Sequence, residues 1–548
     1  RLLSLLLLAL LPATAAGAAS AAATAGPPPN VLLLMVDDLK PSLGAYGDET
    51  ARTPNMDALA ARGLRFDNMH SSKSECAPSR LSFLTGSRPD RLRVWGFEPN
   101  FRRKNRRAQT MGSAFRAAGY HTEVVGKVFD ARSFPRGPWE IPGNGPDTCA
   151  PGSPRDTHEC SWDSSLCPHA IKVNAEGVCG AGVTVEYFPG SGLDPLDRTS
   201  LLTWAFDDGL ENKTFDACVA TVAARRVREL AETGQPYFLA VGFALPHMPW
   251  RAPASIMDHF AALPDSSFPD PFEEKDPHFW TDHSSGWSRY SSNEIKMFRN
   301  WASVAEVDRA RAYYASVSFV DKMLGRVVEA VRGSAAADST LIVLWGDHGF
   351  HLGDHDLWGK KTVFEQATRV PFIIVPSPDV LRANKAVRAS VGAGVAAPTD
   401  SVDVFPTLTD LAGIAAPEGV AGTSLLPFLA SPAGFTRGAA ISQFQSHQSR
   451  RWIGYSIRTV HHRLIVYAPR VRHSVKRLMQ AAPFRSRKVA RLELYRYSTA
   501  GGIEQINRVN DPSFAEVKAK LFALFEATAD PEWTHLVGMR PFDYPDEG

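Results

Sequence analysis

The chain has 548 residues, of which 44% are hydrophobic and 22% are charged, and its formal net charge is +2. This composition is ordinary for a globular protein, and the length excludes a chain too small to bury a substantial core. The nearly balanced charge does not by itself indicate an acidic or a basic partner.

The first 25 residues have the pattern of a secretory signal peptide. Arg1 precedes an apolar run that continues to Leu11, and the small residues 23–25 follow. A spanning helix needs about 20 apolar residues, so the run favours a signal peptide, with an uncleaved anchor as the alternative. No later apolar run is long enough to cross a bilayer. We therefore expect a secretory-pathway protein, lysosomal or extracellular, without stable membrane insertion.

The first predicted strand is the continuous apolar run Asn30–Val36, which ends in Asp37 and Asp38. Fully apolar strands belong to sheets that are covered on both faces. Carboxylates at the carboxyl end of such a strand lie where α/β folds bind ligands. We therefore interpret the two aspartates as part of a metal site, with a helix N-cap as the alternative. A helix beginning near Thr53 and a strand over 63–67 follow.

The stretch 74–86 is predicted to be a helix with a reactive centre at its N-terminus. Pro78 has no N–H to lose and suits the first turn, and Gly86 suits the exit. Cys76 would lie just before the first turn, where the helix dipole favours negative charge, and Arg80 adds a cation. The alternatives for Cys76 are a small buried hydrophobic residue and a cysteine-hydrolase nucleophile, although the usual cysteine-protease signatures are absent from the surrounding sequence.

A basic run at 102–107 precedes a predicted helix over 111–118 and a predicted strand over 121–125. Such a run is a solvated surface, a processing-protease site or, in the sharper interpretation, a binding surface for a polyanion. Lys127 follows the strand, in a position where lysine is commonly exposed to solvent.

Residues 131–205 are rich in glycine, proline and cysteine and are interpreted as an irregular insertion. A disulfide-stapled segment is favoured there, because four of the six cysteines fall within it: Cys149, Cys160, Cys167 and Cys179. A zinc site with His158 or His169 is less favoured, since no pair has the Cys-x2-Cys spacing. If Cys76 is chemically converted, Cys218 is left by elimination as the free thiol. Asn212 begins a glycosylation sequon, which implies a surface loop.

A predicted helix over 214–233 and a strand over 237–243 lead to His247. His247 lies between two prolines at a strand exit, so a plain core histidine is the less favoured interpretation. The polar and aromatic segment 255–300 has no clear periodicity and is predicted to be a long covering loop. The amphipathic pattern over 310–331 predicts a helix whose role is packing.

A second fully apolar strand, over 339–345, ends in Asp347 and His348, and Lys360 follows. Because strand ends of an α/β sheet meet at one edge, the two apolar strands can bring Asp37, Asp38 and Asp347 together. Three carboxylates without a thiolate suit a hard cation such as Ca²⁺ better than zinc, which the neighbouring histidines would alternatively suggest.

The composition changes beyond about residue 440, where a smaller C-terminal subdomain is expected. Segments 452–459 and 463–467 are interpreted as paired strands of a small sheet, followed by a basic segment at 470–491 and a closing helix over 513–528. The predicted organisation is a catalytic domain over 26–439 and a C-terminal subdomain over 440–548.

These motifs, in this order, resemble the type I sulfatases, the formylglycine-dependent members of the alkaline phosphatase superfamily. Residues 76–80 match every position of the core signature Cys-x-Pro-Ser-Arg, and the resemblance covers about residues 30–410. It implies an α/β fold with a large mixed, mostly parallel sheet sandwiched by helices, and a short antiparallel sheet in the C-terminal subdomain. It also implies that the formylglycine-generating enzyme converts Cys76 to formylglycine (3-oxoalanine), whose hydrate attacks a sulfate ester.

The resemblance implies roles for the other candidate residues. Lys127 and Lys360 would bind the sulfate, Arg80 would hold the nucleophile, and His247 would protonate the leaving alcohol. The family usually has a histidine shortly after the lysine, and this chain has Asp130 there instead. The implied Ca²⁺ ligands are Asp37, Asp38, Cys76, Asp347 and His348.

Residues 347–349 and 454–459 resemble the iduronate-2-sulfatase branch, which acts on 2-O-sulfated iduronate in heparan and dermatan sulfate. The expected function is therefore a sulfuric ester hydrolase acting on a glycosaminoglycan or related sulfated polysaccharide, with no nucleic-acid partner. The alternatives are a phosphate or phosphonate ester hydrolase of the same superfamily and a catalytically silent polyanion-binding homologue.

Overall fold

The computed structural model describes residues 27–96, 101, 105, 108–130, 164–166, 202–269, 303–434, 438–445, 452–469, 491–498, 502 and 504–528. The predicted signal peptide and most of the predicted insertion lie outside the described residues, as do nearly all of the two basic segments. Among the described helices, none combines the length and the apolar character that crossing a bilayer requires.

The strands of the described ranges are as follows: β1 (Asn30–Val36), β2 (Leu64–Phe66), β3 (Met69–His70), β4 (His121–Gly126), β5 (Ser164–Leu166), β6 (Thr203–Phe206), β7 (Tyr237–Phe243), β8 (Trp250–Pro253), β9 (Thr340–Gly346), β10 (His351–Leu352), β11 (Trp358–Gly359), β12 (Arg369–Val370), β13 (Phe372–Val375), β14 (Gly394–Val395), β15 (Thr399–Asp400), β16 (Ala440–Gln445), β17 (Trp452–Arg458), β18 (His462–Pro469) and β19 (Arg491–Arg496).

The α-helices of the same ranges are as follows: α1 (Pro54–Arg62), α2 (Cys76–Thr85), α3 (Pro89–Leu92), α4 (Met111–Ala117), α5 (Phe215–Glu232), α6 (Ala254–Ala261), α7 (Glu306–Arg332), α8 (Glu365–Thr368), α9 (Pro378–Ala383), α10 (Lys385–Ala389), α11 (Val404–Leu411), α12 (Leu426–Ala430) and α13 (Ala515–Thr528).

A large sheet of eight described strands organises the molecule, in the order β14-β2-β13-β9-β1-β7-β4-β5. Strand β1 lies between β7 and β9 and is parallel to both, and β4 is parallel to β7. Only β13 runs antiparallel to its neighbours β9 and β2. The prediction of a mixed, mostly parallel sheet is therefore confirmed.

Both faces of this sheet are covered, which explains why β1 is apolar at every position. Alternate residues of a strand point to opposite faces. Leu32, Leu34 and Val36 pack in one core with α5 and α7, whereas Val31 and Leu33 pack in another with α2, α4 and α11. The sheet is thus the middle layer between two layers of helices, as predicted.

The C-terminal sheet is larger than the predicted pair of strands. Four antiparallel strands pair in the order β16-β17-β18-β19. Their apolar side chains pack against the closing helix α13 in a separate small core. A second small core joins Phe444, Ile465 and Tyr495 of this sheet to Val363 and Phe364, which follow β11.

Outside the candidate site, two sequence-based predictions are wrong within the described residues. The segment predicted as a covering loop from residue 255 begins with the helix α6, whose Phe260 is buried against Tyr314 of α7. Cys218, predicted to be the free thiol, is disulfide-bonded. Elimination failed for Cys218 because counting cysteines does not determine how they pair.

Candidate active site

The ends of the neighbouring strands β1 and β9 bring three carboxylates together. Val36 lies opposite Gly346 in the parallel register, so Asp37 and Asp38 leave the sheet beside Asp347. The backbone N–H groups of Asp38 and His348 both donate to Asp347 Oδ1, each at 2.9 Å. All three carboxylates are fully buried. The predicted convergence of the two strand ends is therefore observed.

Helix α2 presents Cys76 to the same place. Cys76 is the first helical residue rather than the residue before the first turn, and the helix ends at Gly86, whose φ is 59°. The Cys76 Sγ lies 3.4 Å from His348 Nε2 and 3.2 Å from Lys360 Nζ. The thiol thus lies between a cation and an imidazole at the N-terminus of a buried helix.

Lys127 and Arg80 bring positive charge to the carboxylates. Lys127 Nζ donates to Asp37 Oδ2, and Arg80 Nε donates to Asp347 Oδ2 at 2.8 Å. Arg80 also donates to the Lys127 carbonyl, which ties the two cationic residues together. The position of Lys127 depends on Gly242 of β7, because a Cβ there would lie 1.9 Å from the Lys127 carbonyl oxygen.

Lys360 follows a short hairpin that the sequence did not predict. Strands β10 and β11 pair antiparallel through His351 and Gly359, and the Lys361 N–H donates to the Ser74 carbonyl at 3.2 Å. This hairpin carries Lys360 to Asp38, whose Oδ1 accepts a hydrogen bond from the ammonium. Each of the three carboxylates therefore has a cationic partner within the chain.

His247 lies beyond the end of β7 and is partly exposed, whereas the other eight candidate residues are buried. Its Nδ1 is 2.8 Å from the Met248 carbonyl oxygen. Because a carbonyl can only accept, Nδ1 carries the proton, and in neutral His247 the lone pair is on Nε2. His247 is thus placed where the buried cluster opens toward solvent.

The donor set fits a hard divalent cation. Ligand atoms of Asp37, Cys76, Asp347 and His348 lie within 4.8 Å of one another, as do those of Asp37, Asp38, Cys76 and His247. Asp38 Oδ2 is buried and accepts no hydrogen bond from any described residue. An unsatisfied buried carboxylate oxygen is costly unless it is paired or coordinates a cation. The three carboxylates supply the oxygen ligands that Ca²⁺ prefers, whereas the Cys76 thiol and the histidines add sulfur and nitrogen.

Burial and neighbouring charges shift the pKa values of these acids in opposite directions. Burial opposes ionisation of Asp37, but Lys127 and Arg80 hold its pKa well below the usual range. Burial raises the pKa of Asp38 to about 6, against the effect of Lys360. Burial and the charge of Asp37 raise the pKa of Asp347. Asp37 is therefore the most firmly ionised of the three.

The two groups that would act on a substrate are held in their neutral forms. Burial, followed by the charge of Asp37, raises the pKa of the Cys76 thiol well above its ordinary value. Burial lowers the pKa of His247 well below its ordinary value, and Lys360 and Lys127 lower it further. A neutral thiol is a weak nucleophile.

The structure also places His348 and Asp130, two residues at which the sequence resembles or departs from the family pattern. His348 is close enough for a cation shared with the carboxylates, since its Nε2 lies 3.4 Å from Asp38 Oδ1. Asp130, which stands where a histidine was expected, is buried with its Oδ2 3.7 Å from Lys127 Nζ. It therefore adds negative charge beside a cation that was predicted to bind sulfate.

Sequence reasoning missed residues that support the site through the backbone. Ser79 donates from Oγ to the Asp347 carbonyl, and Tyr313 donates from its hydroxyl to the Asp38 carbonyl at 2.8 Å. The serine could have been predicted, since it is part of the recognised signature. The tyrosine had no such signal, because a tyrosine in an amphipathic helix pattern is ordinarily a packing residue.

Comparison with known proteins gives a consistent result. The Sulfatase family model matches residues 29–414. Iduronate 2-sulfatase of Mus musculus is 29% identical over 421 residues, which cover 70% of this chain and 68% of that protein. Iduronate 2-sulfatase of Homo sapiens is 31% identical over 345 residues, which cover 62% of this chain and 58% of that protein, less than two thirds of its length.

A solved structure shows the same fold. The phosphonate monoester hydrolase of Agrobacterium radiobacter superposes with a TM-score of 0.64 at 22% identity, over 93% of this chain and 96% of that chain. At this identity the likeness concerns the fold alone.

Proposed function

Since this chain belongs to the sulfatase family, we propose that it removes sulfate from a sulfated saccharide by means of formylglycine derived from Cys76 and a bound calcium ion. One observation carries the proposal. Cys76, at the start of a buried helix, shares one cluster with three carboxylates and three cations from five separate parts of the chain. Such a cluster can hold both a divalent cation and a tetrahedral anion.

Asp37, Asp38 and Asp347 would hold the calcium, with His348 and the converted side chain of residue 76 completing the set. When bound, calcium would supply positive charge to the sulfate oxygens, and formylglycine would supply a hydrated aldehyde as nucleophile. The carboxylates contribute by staying ionised in a buried place, and the strong depression of the Asp37 pKa by Lys127 and Arg80 favours that state.

The neutral state of Cys76 supports conversion over direct use of the thiol. A cysteine hydrolase needs a thiolate, which is normally produced by a lowered pKa. The pKa of the Cys76 thiol is raised instead. An unmodified Cys76 would therefore be a poor nucleophile at neutral pH, whereas an aldehyde carbon at this position needs no thiolate.

Lys127, Lys360 and Arg80 would bind the sulfate group. Their charges lie around Cys76, where a negatively charged sulfuryl group would be transferred. Cations fixed in a buried site stabilise such a transition state more strongly than the same cations would in water. Arg80 donates to Asp347 and to the Lys127 carbonyl, so its main role would be to orient these two residues.

His247 would hold the proton for the leaving alcohol. Without an anion beside it, burial keeps the pKa of His247 low, and Lys360 and Lys127 lower it further. A sulfate ester bound between these lysines brings negative charge, which offsets their effect and raises the pKa of His247. The imidazole could then take up a proton at Nε2 and give it to the departing alkoxide.

The substrate we propose is a terminal 2-O-sulfated uronate of a glycosaminoglycan or a related sulfated polysaccharide. The support is the identity of about 30% to two enzymes named iduronate 2-sulfatase. The site differs from the family pattern in one respect, because Asp130 lies near Lys127 where a histidine was expected. For its location we propose a lysosomal or extracellular compartment, and for its maturation the formylglycine-generating enzyme.

The first test is mass spectrometry of the tryptic peptide 74–80, from protein made in a host that converts its own sulfatases. We expect the aldehyde or its hydrate at residue 76, together with hydrolysis of a chromogenic aryl sulfate that a Cys76→Ala variant lacks. An unmodified thiol at Cys76, in a host whose other sulfatases are converted, would contradict the proposed mechanism.

The same assay separates the alternative functions. Faster turnover of an aryl phosphonate than of the aryl sulfate would favour a phosphonate ester hydrolase, the activity named for a protein of the same fold. Retention on heparin without turnover of any ester would favour a catalytically silent polyanion-binding protein. A terminal 2-O-sulfated iduronate disaccharide, compared with a 6-O-sulfated glucosamine, then tests the proposed sugar.

A further inference from the structure

Asp38 has a backbone conformation that few residues other than glycine adopt. Its φ is 60°, in the left-handed region, where the Cβ of an L-residue is crowded by the following carbonyl. Such a conformation persists where the surroundings impose it. Among the nine candidate site residues, Asp38 is the only one with a positive φ.

This conformation has a direct consequence for the carboxylates. Successive residues of an extended strand point their side chains to opposite faces. Asp37 and Asp38 are the two residues that follow β1, whose last residue is Val36, and their carboxylate oxygens both lie within 4.8 Å of Cys76 Sγ and of one another. The left-handed turn at Asp38 allows both side chains to face the same point.

Two hydrogen bonds hold the Asp38 backbone in place. Its N–H donates to Asp347 Oδ1 at 2.9 Å, and its carbonyl accepts from the Tyr313 hydroxyl at 2.8 Å. The same hydroxyl accepts from the Lys40 N–H at 3.1 Å. The Tyr313 hydroxyl therefore binds the backbone on both sides of Leu39, immediately after the turn.

The Tyr313 ring is itself fixed by packing. It is fully buried, lies stacked on Phe350 with 5.7 Å between ring centroids and meets the edge of Trp250 at 6.2 Å. It belongs to α7, a helix of 27 residues. The hydroxyl is thus presented to the Asp38 backbone from a rigid element.

We propose that Tyr313 is a positioning residue of the metal site, whose hydroxyl holds the Asp38 backbone in the left-handed conformation that directs the Asp37 and Asp38 carboxylates to one cation. The inference rests on the proposed function only in taking that cation to be calcium. Loss of the hydroxyl should lower calcium affinity while leaving the ring packing intact. Removal of a group that orients a metal ligand typically lowers metal affinity about 10- to 100-fold.

The test is a calcium titration by calorimetry of chelator-treated wild-type protein and of the Tyr313→Phe variant. Tyr314→Phe is the matched control, because Tyr314 is the next residue of α7, is also buried, and donates to Asp48 rather than to the site. We expect Tyr313→Phe to bind calcium about 10- to 100-fold more weakly, with wild-type affinity in Tyr314→Phe. Thermal unfolding of the metal-free proteins shows whether the two variants lose similar stability.

Equal calcium affinity in Tyr313→Phe and wild type would overturn the inference, and so would equal weakening in Tyr314→Phe. If the wild-type protein binds no calcium, the inference fails together with the proposed metal. Turnover of an aryl sulfate by the wild-type protein is measured separately, so failure of the positioning role and failure of the sulfatase function give different results.

Discussion

A buried network of two carboxylates and two guanidinium groups joins the C-terminal sheet to the segment that follows Lys360. Glu365 Oε2 accepts from Arg458 Nε at 2.8 Å and also from Arg463. Glu504 lies 3.1 Å from Arg463 Nε and accepts from the Glu365 N–H at 2.7 Å. All four side chains are at most 1% exposed. The balance of charge in this network should therefore be essential to stability.

We predict that Glu365→Gln strongly destabilises the protein. The variant keeps the shape of the side chain but leaves two buried guanidinium groups with one carboxylate. Removing one partner from a buried ion pair costs about 3–5 kcal/mol, because a charge is left uncompensated. At about 2.1 cal/mol/K per residue, the unfolding entropy of 548 residues is about 1.2 kcal/mol/K, so the expected fall in Tm is about 3–4 °C.

The effect should also depend on pH. Burial opposes ionisation of Glu365, but Arg458 is the strongest of the charges that hold its pKa well below the usual range. The folded state therefore binds the proton less readily than the unfolded state, in which the pKa of a glutamate is about 4.3. The stabilisation is fully present above that pH and is lost as the pH falls through the folded pKa. The difference between the variant and the wild type should shrink accordingly in acid.

The measurement is calorimetric unfolding of the wild-type protein and the variant at pH 7 and at about pH 3, more than one unit below the pKa of an unfolded glutamate. Glu329→Gln is the control, because Glu329 pairs with Arg332 at 3.0 Å in a pair that is 61–69% exposed. Exposed pairs contribute about 0–1 kcal/mol, so this control should unfold close to the wild type. If the Tm values of Glu365→Gln and Glu329→Gln agree within about 1 °C, the reasoning about buried charge is refuted.

Three further predictions concern the core and the site. Burial lowers the pKa of His70 well below its usual value, so below about pH 6.5 the unfolded state takes up a proton that the folded state does not. Through this residue the wild-type protein loses up to about 1.4 kcal/mol of unfolding free energy per pH unit as the pH falls. The His70→Gln variant should not show that loss. Lys127→Met should lower kcat/KM for an aryl sulfate about 100- to 1000-fold, whereas Lys322→Met, which removes an exposed lysine paired with Glu211, should not change it. Chelation of calcium should abolish turnover and also weaken binding of a non-hydrolysable sulfate analogue, measured by calorimetry.

The parts of the fold that follow from local pattern were predictable. Continuous apolar runs identified β1 and β9 because strands covered on both faces have no polar positions. The acidic residues that follow β1 and β9 were then expected to be able to meet, and the parallel pairing of these two strands places them at the same edge of the sheet. Helix α2 was recognised from Pro78 and Gly86, which have conformational roles of their own.

The parts that depend on distant contacts were not predictable. Helix α6 has only eight residues, too few for a clear periodicity, and its buried Phe260 packs against Tyr314 of α7. The hairpin that carries Lys360 consists of two strands of two residues each, too short for any alternation to appear. Tyr313 is 275 residues from Asp38 in sequence, so no local signal could connect its hydroxyl with that backbone.

The charges of the site explain why a metal ion and an anionic substrate should assist each other. Asp37 is paired with Lys127, and Asp38 is paired with Lys360. A divalent cation that binds these carboxylates competes with both ammonium groups and frees them for the oxygens of a sulfate ester. Conversely, an ester that attracts the lysines leaves the carboxylates to the cation. Such coupling is reciprocal, so each ligand should raise the affinity of the other by the same factor.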